Sequence, residues 1–374
     1  MKFTCDQDKL QKALSAVSRA IPNRSSLPIT NHILIDAGNN EIVISATDAE
    51  TMAITYSLPA NVGEMGALAL PSRLLTDFIS SLPPDIINFG KNADSYQALL
   101  TCAKNKSSIE GINPSEFPPI PKNTGSTQFK LSASKFKNAI AKVVFSAATD
   151  DSRPILMGVQ FLIQDSKLTL AAADGFRLSV CKIKLDTDQT ATSFVVPARA
   201  LSELGKLLVE LGDNQFTMTV NEQNTQVEFD LGFSRMVSQL LQGTFPKYDQ
   251  LIPDDWKTKI TISAKEFIRE TKIASIFARD GSGIIRLHAE ASSGKLQIMA
   301  KAEELGNNES ELITEIQGDD LKIAFNSRYL MDILQILENG MLIIEGSSPQ
   351  SPGVIKSADH EDFIHVVMPM FVQW

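Results

Sequence analysis

The sequence predicts an α+β protein made of three tandem copies of one unit, each with two helices packed on antiparallel sheet. Three patterns that recur along the 374 residues carry this prediction. A strand end running into a helix start appears as ALPSRLLTDFISSL from Ala69, VPARALSELGKLL from Val196 and AFNSRYLMDILQIL from Ala324. Their arginines, Arg73, Arg199 and Arg328, lie 126 and 129 residues apart. An amphipathic helix opens each copy, as DQDKLQKALSAVSRAI from Asp6, SASKFKNAIAKVVFSA from Ser132 and SAKEFIRETKIASIFA from Ser263. Leu10, Phe136 and Phe267 hold the same place in these helices, at spacings of 126 and 131. A hairpin follows, as ILIDAGNNEIVISATD from Ile33, VQFLIQDSKLTLAAAD from Val159 and IIRLHAEASSGKLQIMAKA from Ile284.

Local chemistry accounts for each element. In the opening helices Ser263 and Glu266 have the spacing of a capping box, and Asp6 and Ser132 or Ser134 suit the N-cap position of the other two. In the second helices Pro197 has a fixed φ and no donor to lose, which suits a first turn, and Leu201, Leu204 and Leu208 share one apolar stripe. Alternating strands around a tight polar turn make each hairpin an antiparallel pair half buried on one face. The first two hairpins end at Asp48 and Asp174, 126 residues apart, whereas Ala302 stands at that place in the third. Short segments such as INFG, YQALLTC, TMTVN and TQVEFDL complete the sheets. The joints EFPPIPKNTGSTQ and TFPKYDQLIPDD are rich in proline and polar residues, which sets the domains at 1–125, 126–253 and 254–374. A copy of this length can fold alone, so the pattern is domain duplication rather than a thin solenoid.

Composition narrows the function. Hydrophobic content of 43% with 21% charged residues describes a folded, soluble chain. No apolar run follows Lys2 and no window reaches the length of a spanning helix, so a cytoplasmic protein without a signal peptide is expected. Cys5, Cys102 and Cys181 are far apart and form no CxxC pair, as expected of reduced packing residues. Histidines 32, 288, 360 and 365 are scattered without ligand spacing, and His365 sits in the apolar strand FIHVVMP. The glycine cluster GSGIIR from Gly281 lacks the third glycine of a dinucleotide fingerprint. Asp150 and Asp151 fall where turn chemistry explains them. No nucleophile, metal cluster or cofactor cradle stands out, so no catalytic residue, metal or cofactor is expected.

Net charge is −9, which argues against a globally basic nucleic-acid coat but leaves room for a basic stripe. The outward side of the opening helices carries Lys9, Lys12 and Arg19, then Lys135 and Lys142, then Lys265, Arg269 and Lys272. The second helices add Arg73, Arg199, Lys206 and Arg328. On any one helix this reads as a solvated face. Its recurrence in three copies of an acidic protein points instead to a segregated basic surface. Without an aromatic ladder for unstacked bases, that surface suits duplex better than single strands. A sequence-specific duplex binder and an enzyme with a scattered acidic site remain alternative readings.

The motifs MKFT, NRSSLPI (23–29), EFPPIP (116–121), AADGFRLSV (172–180), FPKYDQLIP (245–253) and VVMPM (366–370), in this order, resemble the bacterial β sliding-clamp family, the processivity subunits of replicative DNA polymerases. The resemblance covers the whole chain. It implies a head-to-tail homodimer closing six domains into a ring, with helices around duplex DNA and sheets outside. A ring holds DNA by topology, so sequence-independent phosphate contacts can stay weak and permit sliding. By this resemblance the DNA-facing candidates are Arg24, Arg73, Lys142, Arg153, Arg199, Lys206, Lys272 and Arg328. It also implies an apolar pocket in which the polymerase, the clamp loader and other partners insert a short peptide. The matching positions are Leu156, Ala173, Gly175, Phe176, Arg177, Leu178, Pro246, Leu251, Met368, Pro369 and Met370, and the methionines suit varied side chains. For the dimer contact it points to Lys104, Lys106 and Ile109 against Ile276, Phe277 and Glu304. Departures from the family pattern are Phe176 where histidine is common, Pro154 and Ile155 where aromatic residues are frequent, and Gln250 in place of a basic residue. The extended tail with Phe371, Val372 and Trp374 is expected to narrow or line the pocket.

Overall fold

The computed structural model describes residues 1–374 except 23–26, 93–94, 121–126, 186–190, 303 and 360. The α-helices among them are α1 (Gln7–Val17), α2 (Ser72–Ser81), α3 (Ala133–Val143), α4 (Ala198–Leu207), α5 (Ala264–Arg279) and α6 (Ser327–Ile336), two in each sequence copy. The predicted stripe is inward across α4 and the 3-10 turn that continues it (Leu208–Leu211), with Leu201, Leu204 and Leu208 at 1% exposure or less.

The chain divides into two compact units, one of Met1–Lys137 with Arg199–Leu241 and one of Asn138–Ala198 with Gln242–Trp374. The first unit holds a five-stranded sheet in the order Asn61–Glu64, Lys2–Asp6, Ile86–Lys91, Gln97–Cys102, Asn105–Glu110. Its eight-stranded sheet runs Thr127–Ser132, Gln215–Val220, Gln226–Asp230, Ser234–Gln239, Met52–Pro59, Glu41–Thr47, His32–Ala37, Gly66–Pro71. The second unit holds a nine-stranded sheet in the order Thr192–Pro197, Gly158–Gln164, Lys167–Ala173, Arg177–Lys184, Phe363–Val367, Gly353–Ser357, Met341–Gly346, Thr258–Ser263, Glu315–Gly318. Its four-stranded sheet runs Gly306–Ile313, Lys295–Ala302, Ile284–Glu290, Leu321–Asn326. Sequence copies are therefore joined through backbone pairing. Met236 of the middle copy lies opposite Ile54 of the first, and Leu178 of the middle copy lies opposite Val366 of the third.

Helix starts differ from expectation in two respects. Ser263 makes no side-chain cap, so the capping box with Glu266 does not close, and Asp6 makes none either, its carboxylate lying 2.5 Å from the Lys9 ammonium. The first helical N–H finds a tertiary acceptor instead: Gln7 donates to the Asp85 carbonyl at 3.0 Å, Ala133 to Asn214 at 2.9 Å and Ala264 to Gly340 at 3.0 Å. In every copy the turn after the second helix thus satisfies the start of the first, and a side-chain cap has less to do. Pro71 occupies the N-cap of α2, and Pro197 ends a strand just before α4, one position earlier than expected. Asn326 is the side-chain cap of α6, accepting from the Arg328 N–H at 2.9 Å.

The cores fill with branched and aromatic side chains. Leu10, Leu14, Ile33, Ile35, Ile42 and Ile44 are fully buried in the first unit, and Phe161, Phe267, Phe325 and Phe363 in the second. All three cysteines are buried and free. Burial pushes the Cys5 thiol up to about 12 and that of Cys181 up to about 11, which keeps both protonated and inert.

His365 is a structural residue, as its apolar strand suggests. It is inaccessible, its Nδ1 lies 2.7 Å from the Ser179 hydroxyl, and Ser179 lies 2.8 Å from Ser146. Burial, aided by the charge of Arg177, holds its pKa down to about 3, so the folded protein contains the neutral ring. Unfolding restores a value near 6.5, so the unfolded chain takes up this proton first as pH falls.

Two measurements test the packing. The unfolding free energy from denaturant titrations should be insensitive to His365 above pH 6.5 and fall by about 1.4 kcal/mol per pH unit between there and about pH 3. His365→Asn should remove that part of the slope even if it lowers stability throughout. An added Cβ at Gly353 would collide with the fully buried ring of Phe325, so Gly353→Ala should cost about 1–3 kcal/mol in urea unfolding.

Candidate functional site

The loop after strand Lys167–Ala173 is built on Asp174. Its Oδ1 accepts the N–H of Phe176 at 2.9 Å and of Arg177 at 3.0 Å, which tightens the turn and turns Phe176 outward. Its Oδ2 accepts from Arg177 Nε at 3.0 Å, while Arg177 Nη1 donates to Asp332 at 2.6 Å. Arg177 is almost fully buried, and two carboxylates offset its desolvation. The guanidinium also lies over the Tyr329 ring at 4.5 Å and near the Phe145 ring at 5.4 Å.

An apolar surface surrounds this rigid loop. Phe176 is 57% exposed and its ring lies 6.4 Å from that of Tyr329, roughly parallel to it. Met368 is 42% exposed although its N–H is fixed to the Phe176 carbonyl at 2.8 Å. Leu156 and Leu178 form a buried floor, Ala173 and Met370 are half-buried, and Pro369 is buried. Gly175 has φ +93, and a Cβ there would strike the Arg153 guanidinium, whose Nη2 donates to the Asp174 carbonyl at 3.0 Å. Arg153 is thus engaged with the apolar site rather than with a basic helix face.

Pro246 and Leu251 are exposed on the segment 245–253, which the Phe245–Tyr248 edge contact anchors. The tail does not line the site as expected. Met370 donates its N–H to Ala324 at 2.7 Å, Phe371 is 81% exposed, and Trp374 lies 5.9 Å from both the Arg286 and Lys322 cations. Tyr329, Asp332 and Phe145 join the site without any motif in the sequence marking them. The signal available for the first two was their position beside Arg328, one and four residues along α6.

The expected basic faces are largely compensated. Lys12 pairs with Glu210 at 3.0 Å, Arg19 with Glu203 at 3.5 Å, Lys206 with Glu203 at 2.8 Å and Arg269 with Glu270 at 2.7 Å. Arg199 pairs with the buried Asp48 at 3.1 Å and donates to the Ile21 carbonyl. Lys142 is mostly buried, 3.4 Å from Asp362 and over the Phe363 ring, which withdraws it from an exposed face. Arg73 is open, with only Asp77 at 3.9 Å, and Lys135, Lys265, Lys272 and Arg328 are exposed without an ion pair among the described residues. Arg24 lies outside the described residues.

Of the residues expected at a dimer contact, Lys104, Lys106 and Glu304 are exposed, Ile276 is exposed and Phe277 half-buried. Ile109 is buried within its own unit and leaves only its backbone to a partner.

Models of the DNA polymerase III beta subunit match the chain over its N-terminal domain (1–121), central domain (130–247) and C-terminal domain (249–371). The beta sliding clamp of Staphylococcus epidermidis is 30% identical over 380 residues, covering 99% of each chain. Among solved structures, the DNA polymerase sliding clamp of Bacillus subtilis is 26% identical with a TM-score of 0.93, and the Pseudomonas aeruginosa sliding clamp bound to griselimycin is 25% identical with 0.91, both over the full length of each chain. This chain belongs to the DNA polymerase III beta subunit family, the beta sliding clamps.

Proposed function

We propose that two copies of this chain close head to tail into a ring that encircles duplex DNA and tethers the replicative polymerase, giving it processivity without chemistry of its own. The carrying observation is a pair of open sheet edges. Strand Asn105–Glu110 ends one sheet and strand Gly306–Ile313 ends another, each with a pairing partner on one side only among the described residues. Such edges invite pairing with another chain. Joining the first edge of one copy to the second edge of its partner makes a heterologous contact that closes after two subunits. Ile276, Leu305 and Ile313 supply exposed apolar area at that junction, with Phe277 and Glu304 beside them and Lys104 and Lys106 opposite.

In this reading each chain contributes three domains, 1–125, 126–253 and 254–374. The family resemblance makes Arg24, Arg73, Lys142, Arg153, Arg199, Lys206, Lys272 and Arg328 the DNA-facing set. Arg73, Lys272 and Arg328, all exposed, are its best supported members, and the exposed Lys135 and Lys265 of the opening helices join them. Compensation of Lys142, Arg199 and Lys206 by carboxylates keeps attraction to phosphate weak, which suits sliding. The surface around Phe176 and Met368 receives the peptides of the polymerase, the clamp loader and other clients, with Arg177 fixing its wall. Replication places the working protein in the cytoplasm. No helix of the described residues is long and apolar enough to cross a membrane.

Protein loaded on nicked circular DNA should remain through gel filtration and be lost when that DNA is linearised; equal retention on both would sink the topological mechanism. A peptide from the C-terminus of the replicative polymerase should bind Phe176→Ala/Met368→Ala about tenfold or more weakly in fluorescence anisotropy. Retention of the same variant on circular DNA should be unchanged.

A further inference from the structure

A groove of about 700 Å³ lies on the nine-stranded sheet, next to the apolar site. Strand alternation defines the relation between the two. Leu178, Val180 and Lys182 project from one face of strand Arg177–Lys184, with Arg177, Ser179 and Cys181 on the other. Leu178 floors the apolar site, and Val180 and Lys182 line the groove. The adjoining strand repeats this order, because Val366 lies opposite Leu178 while Ile364, in the groove, lies opposite Val180. The apolar surface and the groove therefore succeed one another along the same strands, about 7 Å apart per step of two residues. The segment 245–253 borders the groove with Tyr248, Asp249 and Ile252 and also carries Pro246 and Leu251, which the family resemblance assigns to the apolar site.

The groove has an apolar floor and an acidic rim. Leu162, Val180, Ile343 and Ile364 lie among its lining residues, and four carboxylates face two lysines. Lys356 is held by Glu345 at 2.7 Å and Asp362 by Lys142 at 3.4 Å. Asp249 and Glu361 are exposed and have no ion pair among the described residues, against Lys182 alone. Such a lining complements a short stretch that alternates basic and apolar residues.

We propose that this groove is a second docking segment for clients, holding basic and apolar residues that flank the peptide seated at Phe176 and Met368. The proposal rests on the pocket reading given above and adds a specificity element to it. A client with such a flank gains affinity because one chain occupies two adjoining sites.

The test uses the full chain and the polymerase C-terminal peptide, bare or extended on either side by Lys-Leu-Lys-Val-Lys or Glu-Leu-Glu-Val-Glu, read by fluorescence anisotropy. One basic extension should tighten binding about tenfold and the acidic ones should not. Asp249→Lys/Glu361→Lys should abolish the gain, and Thr169→Trp, which fills the groove from an accessible position, should do the same, with bare-peptide affinity within about twofold of the parent. Equal binding of bare and basic peptides, or a gain that survives both variants, would overturn the second site while leaving the pocket intact. Failure of the bare peptide to bind would remove the pocket reading and this proposal with it.

Discussion

The two largest sheets of this chain, and the apolar site on one of them, depend on strand pairing between sequence copies. A duplicated domain of separate sheets would expose two edges at each joint, each a row of unpaired N–H and C=O groups. Here the strand Ser234–Gln239 pairs with Met52–Pro59, and Arg177–Lys184 with Phe363–Val367, so neighbouring copies share continuous sheets. The middle copy consequently gives four strands to a sheet of each compact unit. The apolar site owes its existence to this arrangement, since Phe176 of the middle copy meets Met368 of the third only where their strands are hydrogen-bonded neighbours.

The repeated aspartates show how one device serves two purposes. Asp48 and Asp174 both accept backbone N–H groups of the turn that follows, Asp48 from Thr51 and Met52 and Asp174 from Phe176 and Arg177. Their second oxygens differ in use. That of Asp48 holds Arg199 at the start of α4, and that of Asp174 holds Arg177, which reaches onward to Asp332 of α6. In the first unit the result is a tied helix start. In the second it is a fixed wall beside exposed aromatic and thioether groups.

Much of this was legible in the sequence because it follows from periodicity. The helices, hairpins and the stripe of Leu201, Leu204 and Leu208 repeat at local spacing and needed no tertiary information. Sheet continuity was not legible, because which edge pairs with which is a long-range fact. The caps illustrate the same limit, since Ser263 and Glu266 have suitable spacing, yet the Gly340 carbonyl reaches the first N–H of α5. Site residues from the AADGFRLSV and VVMPM motifs come together directly. Tyr329 and Asp332 were missed because their part arises only when Arg177 reaches them. The charges of Lys142 and Arg199 could be counted, but their carboxylate partners lie 220 and 151 residues away in sequence.

The backbone around Met368 is pinned twice within three residues, by the Phe176 carbonyl before the turn of the tail and by the Ala324 carbonyl at Met370. Its side chain nevertheless remains open to solvent. Rigidity and adaptability are therefore assigned to different atoms: a stationary main chain sets the address, while an unbranched thioether with several rotamers adjusts to the visitor. Under the proposed function, partners of unlike shape are accommodated by side-chain rotation alone, so successive occupants exchange without the scaffold having to relax between them.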